Sequence, residues 1–173
     1  MASVLRFDNW QNSDGTSIAT TDASGNISFA GVGAGKILQV VYGSTSTLVS
    51  SSSSTFADTG LSVTITPTSA TSTVLVFVDQ NGTQVSNGHL DNQLKISLFR
   101  GSTEIAKIAH ASGYSGTAMT MYPGTAAICF QDSPATTSTT TYKTQLRNNE
   151  SRASVSVQVG SAVSTIVAME VSA

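Results

Sequence analysis

The sequence predicts an all-β domain of the sandwich or jelly-roll kind, and three observations predict it. Ser and Thr make up about 30% of the 173 residues, far above ordinary usage. Threonine suits an extended backbone through its branched Cβ while its hydroxyl faces water. Short segments with strand-like apolar patterning recur at a spacing of roughly 10 residues, with Gly, Asn, Asp, Pro and Ser between them. No segment reads as an amphipathic helix.

The elements follow in order. The first 35 residues stand apart as an attachment arm (1–35), ahead of the main domain (36–173). Asn12-Ser13-Asp14-Gly15-Thr16 and Asp22-Ala23-Ser24-Gly25-Asn26 are two turn signals ten residues apart. Each leads into a short extended piece, Ser17-Ile18-Ala19 and Ile27-Ser28-Phe29, and Gly31-Val32-Gly33-Ala34-Gly35 reads as a flexible joint. A ribbon this short makes no core of its own. Its Phe7, Trp10, Ile18, Ile27 and Phe29 must therefore be buried elsewhere, on the main domain of the same chain or on sister chains or a host structure, and they are the expected attachment residues.

In the main domain, Lys36 to Tyr42 is the first strong strand. Leu61, Val63 and Ile65 alternate with Ser62, Thr64 and Thr66 until Pro67 closes the run. Val74 to Val78 is apolar on both faces, as in a central strand covered on two sides. Leu94, Ile96 and Leu98 alternate with Lys95 and Ser97, and Arg100-Gly101-Ser102 turns the chain into Thr103 to His110. Ala118–Tyr122, Ala126–Phe130, Thr140–Arg147, Ser154–Val159 and Ser164–Val171 complete the set. Ser50 to Thr55 reads as a surface loop or a polar edge strand. The last strand sets Ile166 and Ala168 on one side and Val167, Met169 and Val171 on the other. A lone sandwich wants one polar face per sheet, so some second faces are expected to be buried between subunits.

Composition narrows the function. With 39% hydrophobic residues and a net charge of −2, the chain is foldable, since disorder goes with low hydrophobicity and high net charge. Charged residues are only 10%, against the usual figure of about 25%. Lys and Arg are scattered with no run among them, which argues against a nucleic-acid partner. Cys129, the single cysteine, reads as a small buried hydrophobe in a strand, and it excludes a disulfide within the chain. Met1–Arg6 carries no signal peptide and no apolar run approaches the ~18 residues of a membrane span. The reading is synthesis in the cytoplasm without membrane insertion.

Catalytic patterns are missing from the sequence. A hydrolase needs a nucleophile, a base and an orienting group. Here His89 lies in a turn-like Asn87-Gly88-His89-Leu90-Asp91 and His110 ends a strand, with no nucleophile elbow nearby. Asp79-Gln80-Asn81-Gly82 offers oxygen ligands but lacks the spaced carboxylates and closing Glu of a calcium loop, and it reads as a plain turn. No metal or cofactor is expected, and no enzyme.

One resemblance rests on quoted residues: Lys36–Tyr42, Thr59-Gly60-Leu61-Ser62-Val63-Thr64-Ile65-Thr66-Pro67 and Val74–Val78. Ile96-Ser97-Leu98-Phe99-Arg100-Gly101, Asp132-Ser133-Pro134 with Thr140–Gln145, and Ser164–Val171 continue it. The chain resembles domains on the virion surface of tailed bacteriophages, marine and cyanobacterial ones notably, which are similar to C1q/TNF-type trimeric jelly rolls. The resemblance implies a homotrimer on a tail fibre or as a capsid decoration, bound to another virion protein of the tail or to the major capsid protein. It leans to the short fibre and host adhesion. The Thr-rich Thr140–Arg147 strand is then expected in the outer sheet or at its edge. The rival function is a lectin that stacks a host-surface glycan on Tyr114, Tyr122 or Tyr142.

Overall fold

The computed structural model describes residues 9–22, 24–25, 27–29, 35–114 and 116–173. Three short strands come first, β1 (Asn9–Gln11), β2 (Ser17–Thr21) and β3 (Ile27–Phe29), paired antiparallel in the order β1-β2-β3. The turn between the first two closes on itself. Thr16 N–H donates to Asn12 Oδ1 at 2.8 Å and to Asp14 Oδ1 at 2.9 Å. The predicted ribbon is therefore present. Phe7 and residues 31–34 of the predicted joint lie outside the described residues.

Ten strands build the main domain: β4 (Ile37–Thr45), β5 (Val49–Ser51), β6 (Ala57–Ile65), β7 (Thr73–Val85), β8 (Leu94–Arg100), β9 (Thr103–Ser112), β10 (Met121–Asp132), β11 (Thr140–Asn148), β12 (Val155–Val157) and β13 (Ser164–Val171). One sheet has the order β6-β11-β8-β9. In the other, β10 lies along one edge of β7, while β13 and β12 share the opposite edge end to end. Beyond them β4 pairs with β13 and β5 with β12. Taken as eight lanes in chain order, the sheets read first–eighth–third–sixth and second–seventh–fourth–fifth, the order of a jelly roll. The domain's first strand begins beside its last, where Gly35 N–H donates to Ser172 O and Ser172 N–H to Lys36 O.

Alternation fills the space between the sheets. Val74, Val76, Val78, Ile166 and Ala168 meet Leu61, Val63, Ile65, Leu98 and Tyr142 in one cluster. Val85, Leu94, Ile96, Leu146, Val155 and Val157 form a second. A polar group is also buried in the interior: Thr144 Oγ1 donates to Gln80 Oε1 at 2.8 Å, and Gln80 Nε2 donates to Ser164 Oγ at 2.9 Å. Buried polar atoms in such a group need partners, and here they have them.

Three local expectations are corrected. Asp79–Gly82 is not a turn but lies inside β7, where Asp79 pairs with both Ala127 and Thr165 and Gln80 pairs with Ala126. Gly82 takes φ +61° at a register shift, so the turn-like residues make a bulge, as glycine in a strand often does. Ala118–Tyr122 and Ala126–Phe130 are not separate; Met121 to Asp132 is one strand with irregular register at Gly124. The Thr-rich strand β11 belongs to the four-stranded sheet but sits between β6 and β8 rather than at an edge. Its threonines work in both directions, Thr144 facing the buried polar group and Thr141 meeting Thr64 on the outside at 3.1 Å.

Candidate functional site

The two outer faces of the sandwich differ in chemistry. On the six-stranded sheet, strand alternation sends Val74, Val76 and Val78 inward and leaves Leu75, Phe77 and Asp79 outside. The register places Tyr42, Val167, Phe77 and Cys129 in one cross-strand row, and Val40, Met169, Leu75 and Gln131 in the next. Tyr42 is 63% exposed, Val40 53% and Phe77 38%. Val167, Met169 and Val171 are partly exposed beside them. The second faces singled out in Ser164–Val171 and Val74–Val78 thus join into one apolar surface, extended by Ile37 and Leu38. Contiguous apolar surface of this kind marks interaction sites. A hollow lined by Phe77, Asp79, Ala127 and Cys129 lies on it.

Cys129 is exposed, which corrects its reading as a buried residue. Ile128 and Phe130 pack against the core, so their neighbour in an alternating strand must face out. Tyr42 and Val40 were not singled out in the sequence, because nothing in it reveals which neighbours β13 takes.

The four-stranded sheet presents Asp58, Ser62, Thr64, Thr141, Lys143 and Gln145 on its outside. Lys143 Nζ pairs with Asp58 Oδ1 at 2.8 Å, and Gln145 Nε2 donates to Asp58 Oδ1 at 2.7 Å. The hydrogen bond from Lys143, with that from Gln145 next, holds the Asp58 carboxyl below its usual range.

The ribbon carries its own apolar residues. Trp10 is 63% exposed and Ile27 62%. Trp10 pairs with Ala19 and Thr21 with Ile27, which sets Trp10 and Ile27 on one face of the ribbon, while alternation puts Ile18 on the other. The side chain of Phe29 lies outside the described residues.

Of the three tyrosines named for glycan contact, Tyr114 and Tyr122 are exposed and Tyr142 is fully buried. Tyr142 offers no ring face to a sugar. Its hydroxyl donates to Asp132 Oδ2 at 2.6 Å, and Arg100 Nη1 donates to both oxygens of the same carboxylate at 2.9 Å. Burial first, and the Asp132 carboxylate second, push ionisation of Tyr142 well above the usual phenol range. The Asp-Ser-Pro turn therefore begins with a structural anchor between β10, β8 and β11.

His89 Nδ1 accepts from Asp91 N–H at 3.1 Å, and its Nε2 lies 3.0 Å from Arg152 Nη1. Among the described residues, no group of three or more His, Cys, Asp or Glu side chains is arranged to hold a metal. Glu170, buried between Gln39 and Thr68, accepts from Gln39 Nε2 at 2.6 Å and from Thr68 N–H and Oγ1 at 2.8 Å each.

No protein-family model and no curated protein matches the chain. Among solved structures it is similar to the exo-beta-1,3-galactanase of Phanerochaete chrysosporium with galactose, at 14% identity and a TM-score of 0.22, over 87% of this chain and 32% of that one. A likeness that weak carries no argument about fold or activity.

Proposed function

We propose that this chain is a non-enzymatic structural protein of a tailed-phage virion surface, a homotrimer whose ribbon attaches it to the particle. The observation that carries the reading is the apolar outer face of the six-stranded sheet. Val40, Tyr42, Leu75, Phe77, Val167 and Met169 form it on three adjacent strands, while the opposite outer face is hydroxyl-rich and charged. Self-association through that face removes its apolar side chains from water at about 25 cal/mol per Å². A closed cyclic assembly uses one such patch per subunit without open-ended growth. The exposed Trp10 and Ile27 support attachment through the ribbon. The phage setting rests on the resemblance of the quoted segments, and within it a short fibre or adhesion component is preferred to a capsid decoration protein.

Light scattering coupled to gel filtration tests the assembly: the mass should be three times the 17.8 kDa of one chain. Phe77→Glu should reduce it to one. A wild-type monomer at every concentration defeats the trimer. Copy number per purified particle, by quantitative mass spectrometry, tests the location. A few to a few tens of copies support the fibre, and parity with the major capsid protein supports decoration instead. Absence from particles overturns the virion role.

A further inference from the structure

Cations that are scattered in sequence meet on the four-stranded sheet. Lys95 on β8, Lys107 on β9 and Arg147 on β11 line one hollow with His110, Ser97, Glu104 and Phe56. Register explains the meeting: Arg147 pairs with Lys95, and Ser97 pairs with Lys107. Three permanent cations face one carboxylate, so the lining is formally +2 in a chain of net charge −2. The one carboxylate stays within the lining, where Glu104 Oε1 accepts from Ser97 Oγ at 2.9 Å. Among the described residues, neither Lys95 nor Lys107 has an ion-pair partner. Like charges held together in this way are destabilising unless something compensates them.

Arg147 is held in place. Its guanidinium carbon lies 4.8 Å from the Phe56 ring centroid, and Phe56 packs edge-on against Phe99 at 5.2 Å. Nη1 donates to Ser54 O at 3.0 Å, while Nε is buried without a hydrogen-bond partner. The hollow measures about 130 Å³. That is several times the ~30 Å³ share of one water and well below the ~300–1,000 Å³ of sites that enclose a whole organic ligand. A single charged group fits.

We infer that this hollow binds an oxyanion, a carboxylate or sulfate group, either as a free ion or pendant on an acidic saccharide. Lys95 and Lys107 supply charge and hydrogen bonds, and Arg147 supplies a fixed planar donor, the geometry that suits carboxylate and sulfate oxygens. The site lies on the polar face, away from the apolar one, and stands whether or not the trimer does.

Calorimetric titration of the whole protein with sodium sulfate, and separately with a sulfated oligosaccharide, tests the inference. Saturable binding is expected, weakening with added sodium chloride. Lys95→Gln and Lys107→Gln should each weaken it about tenfold or more, the loss of one charge-assisted hydrogen bond. Lys143→Gln, on the same sheet but paired with Asp58, should leave it unchanged. Binding of both probes marks a site for the free ion, and binding of the saccharide alone marks a pendant group. Absence of saturable binding to either, or binding that Lys95→Gln and Lys107→Gln leave intact, overturns the site.

Discussion

Glu170 gives the sharpest test of the interior, because its surroundings fix the sign of a pH effect. Burial raises the pKa of its carboxyl, but the hydrogen bonds from Gln39 and Thr68 outweigh burial and lower it from 4.5 to about 2. A carboxylate with a depressed folded pKa contributes stability that is fully present above its unfolded value, and that is lost as pH falls through the folded one. The window thus runs from about pH 4.5 down to about pH 2. The full gap corresponds to about 3 kcal/mol. Hydrogen bonds that the neutral side chain retains reduce the difference from a variant without the charge to about 1–2 kcal/mol. Glu170→Gln keeps the shape and removes the charge, and it sets an amide group against the Gln39 amide and the Thr68 N–H. Urea unfolding of both proteins across this range should show wild type more stable near neutrality by about 1–2 kcal/mol, with the difference closing toward about pH 2. Parallel curves over the whole range would refute the argument, since any other titrating carboxyl is common to both proteins.

Three further outcomes follow from named contacts. Gly43→Ala would place a Cβ 2.1 Å from the Ser62 carbonyl oxygen and 3.2 Å from Ile166 Cγ2; because the first is backbone, it should destabilise by about 1–3 kcal/mol or more, read by chemical denaturation. Tyr142→Phe leaves the Asp132–Arg100 pair but deletes the buried hydroxyl, with an expected cost of about 1–2 kcal/mol in the same assay. Cys129 shares a cross-strand row with Phe77 on the apolar face. Its reaction with a thiol reagent should be slow in the trimer and fast in Phe77→Glu, and equal rates in the two would place the subunit contact elsewhere.

Much of the fold was legible because side-chain period decides it. Ser164–Val171 was bounded correctly and divided correctly into an inner and an outer row, since Ile166 and Ala168 alternate with Val167 and Met169. Turn chemistry was less decisive. Asp79-Gln80-Asn81-Gly82 has turn composition, yet it continues β7, with Asp79 paired to β10 and β13 and Gln80 to β10, and long-range pairing overrides local preference. The interior role of Tyr142 was hidden for a related reason: a Thr-rich run looks solvent-facing until pairing makes β11 a central strand. The cationic hollow could not be read at all. Lys95, Lys107 and Arg147 are up to 52 positions apart in the chain, and only the β11-β8-β9 register brings them to one face.

The strand edges extend the contrast between the faces. β4 and β10 are the outer lanes of the six-stranded sheet, and β6 and β9 those of the four-stranded one. Ile37–Thr45 contains no charged residue, and neither does β10 from Met121 to Gln131. By contrast β6 carries Asp58, and β9 carries Glu104 and Lys107. Proteins protect exposed edges with charge, above all lysine, because an uncharged edge invites pairing with another chain. The sheet whose face is apolar is thus also the sheet whose edges carry the least charge, with Pro123 and the irregular register at Gly124 the protection that β10 has. The four-stranded sheet carries Asp58, Lys95, Glu104, Lys107, Lys143 and Arg147, whereas the outer face of the other carries Asp79. That distribution makes sense if the other sheet spends its working life covered, which is the arrangement the proposed trimer supplies.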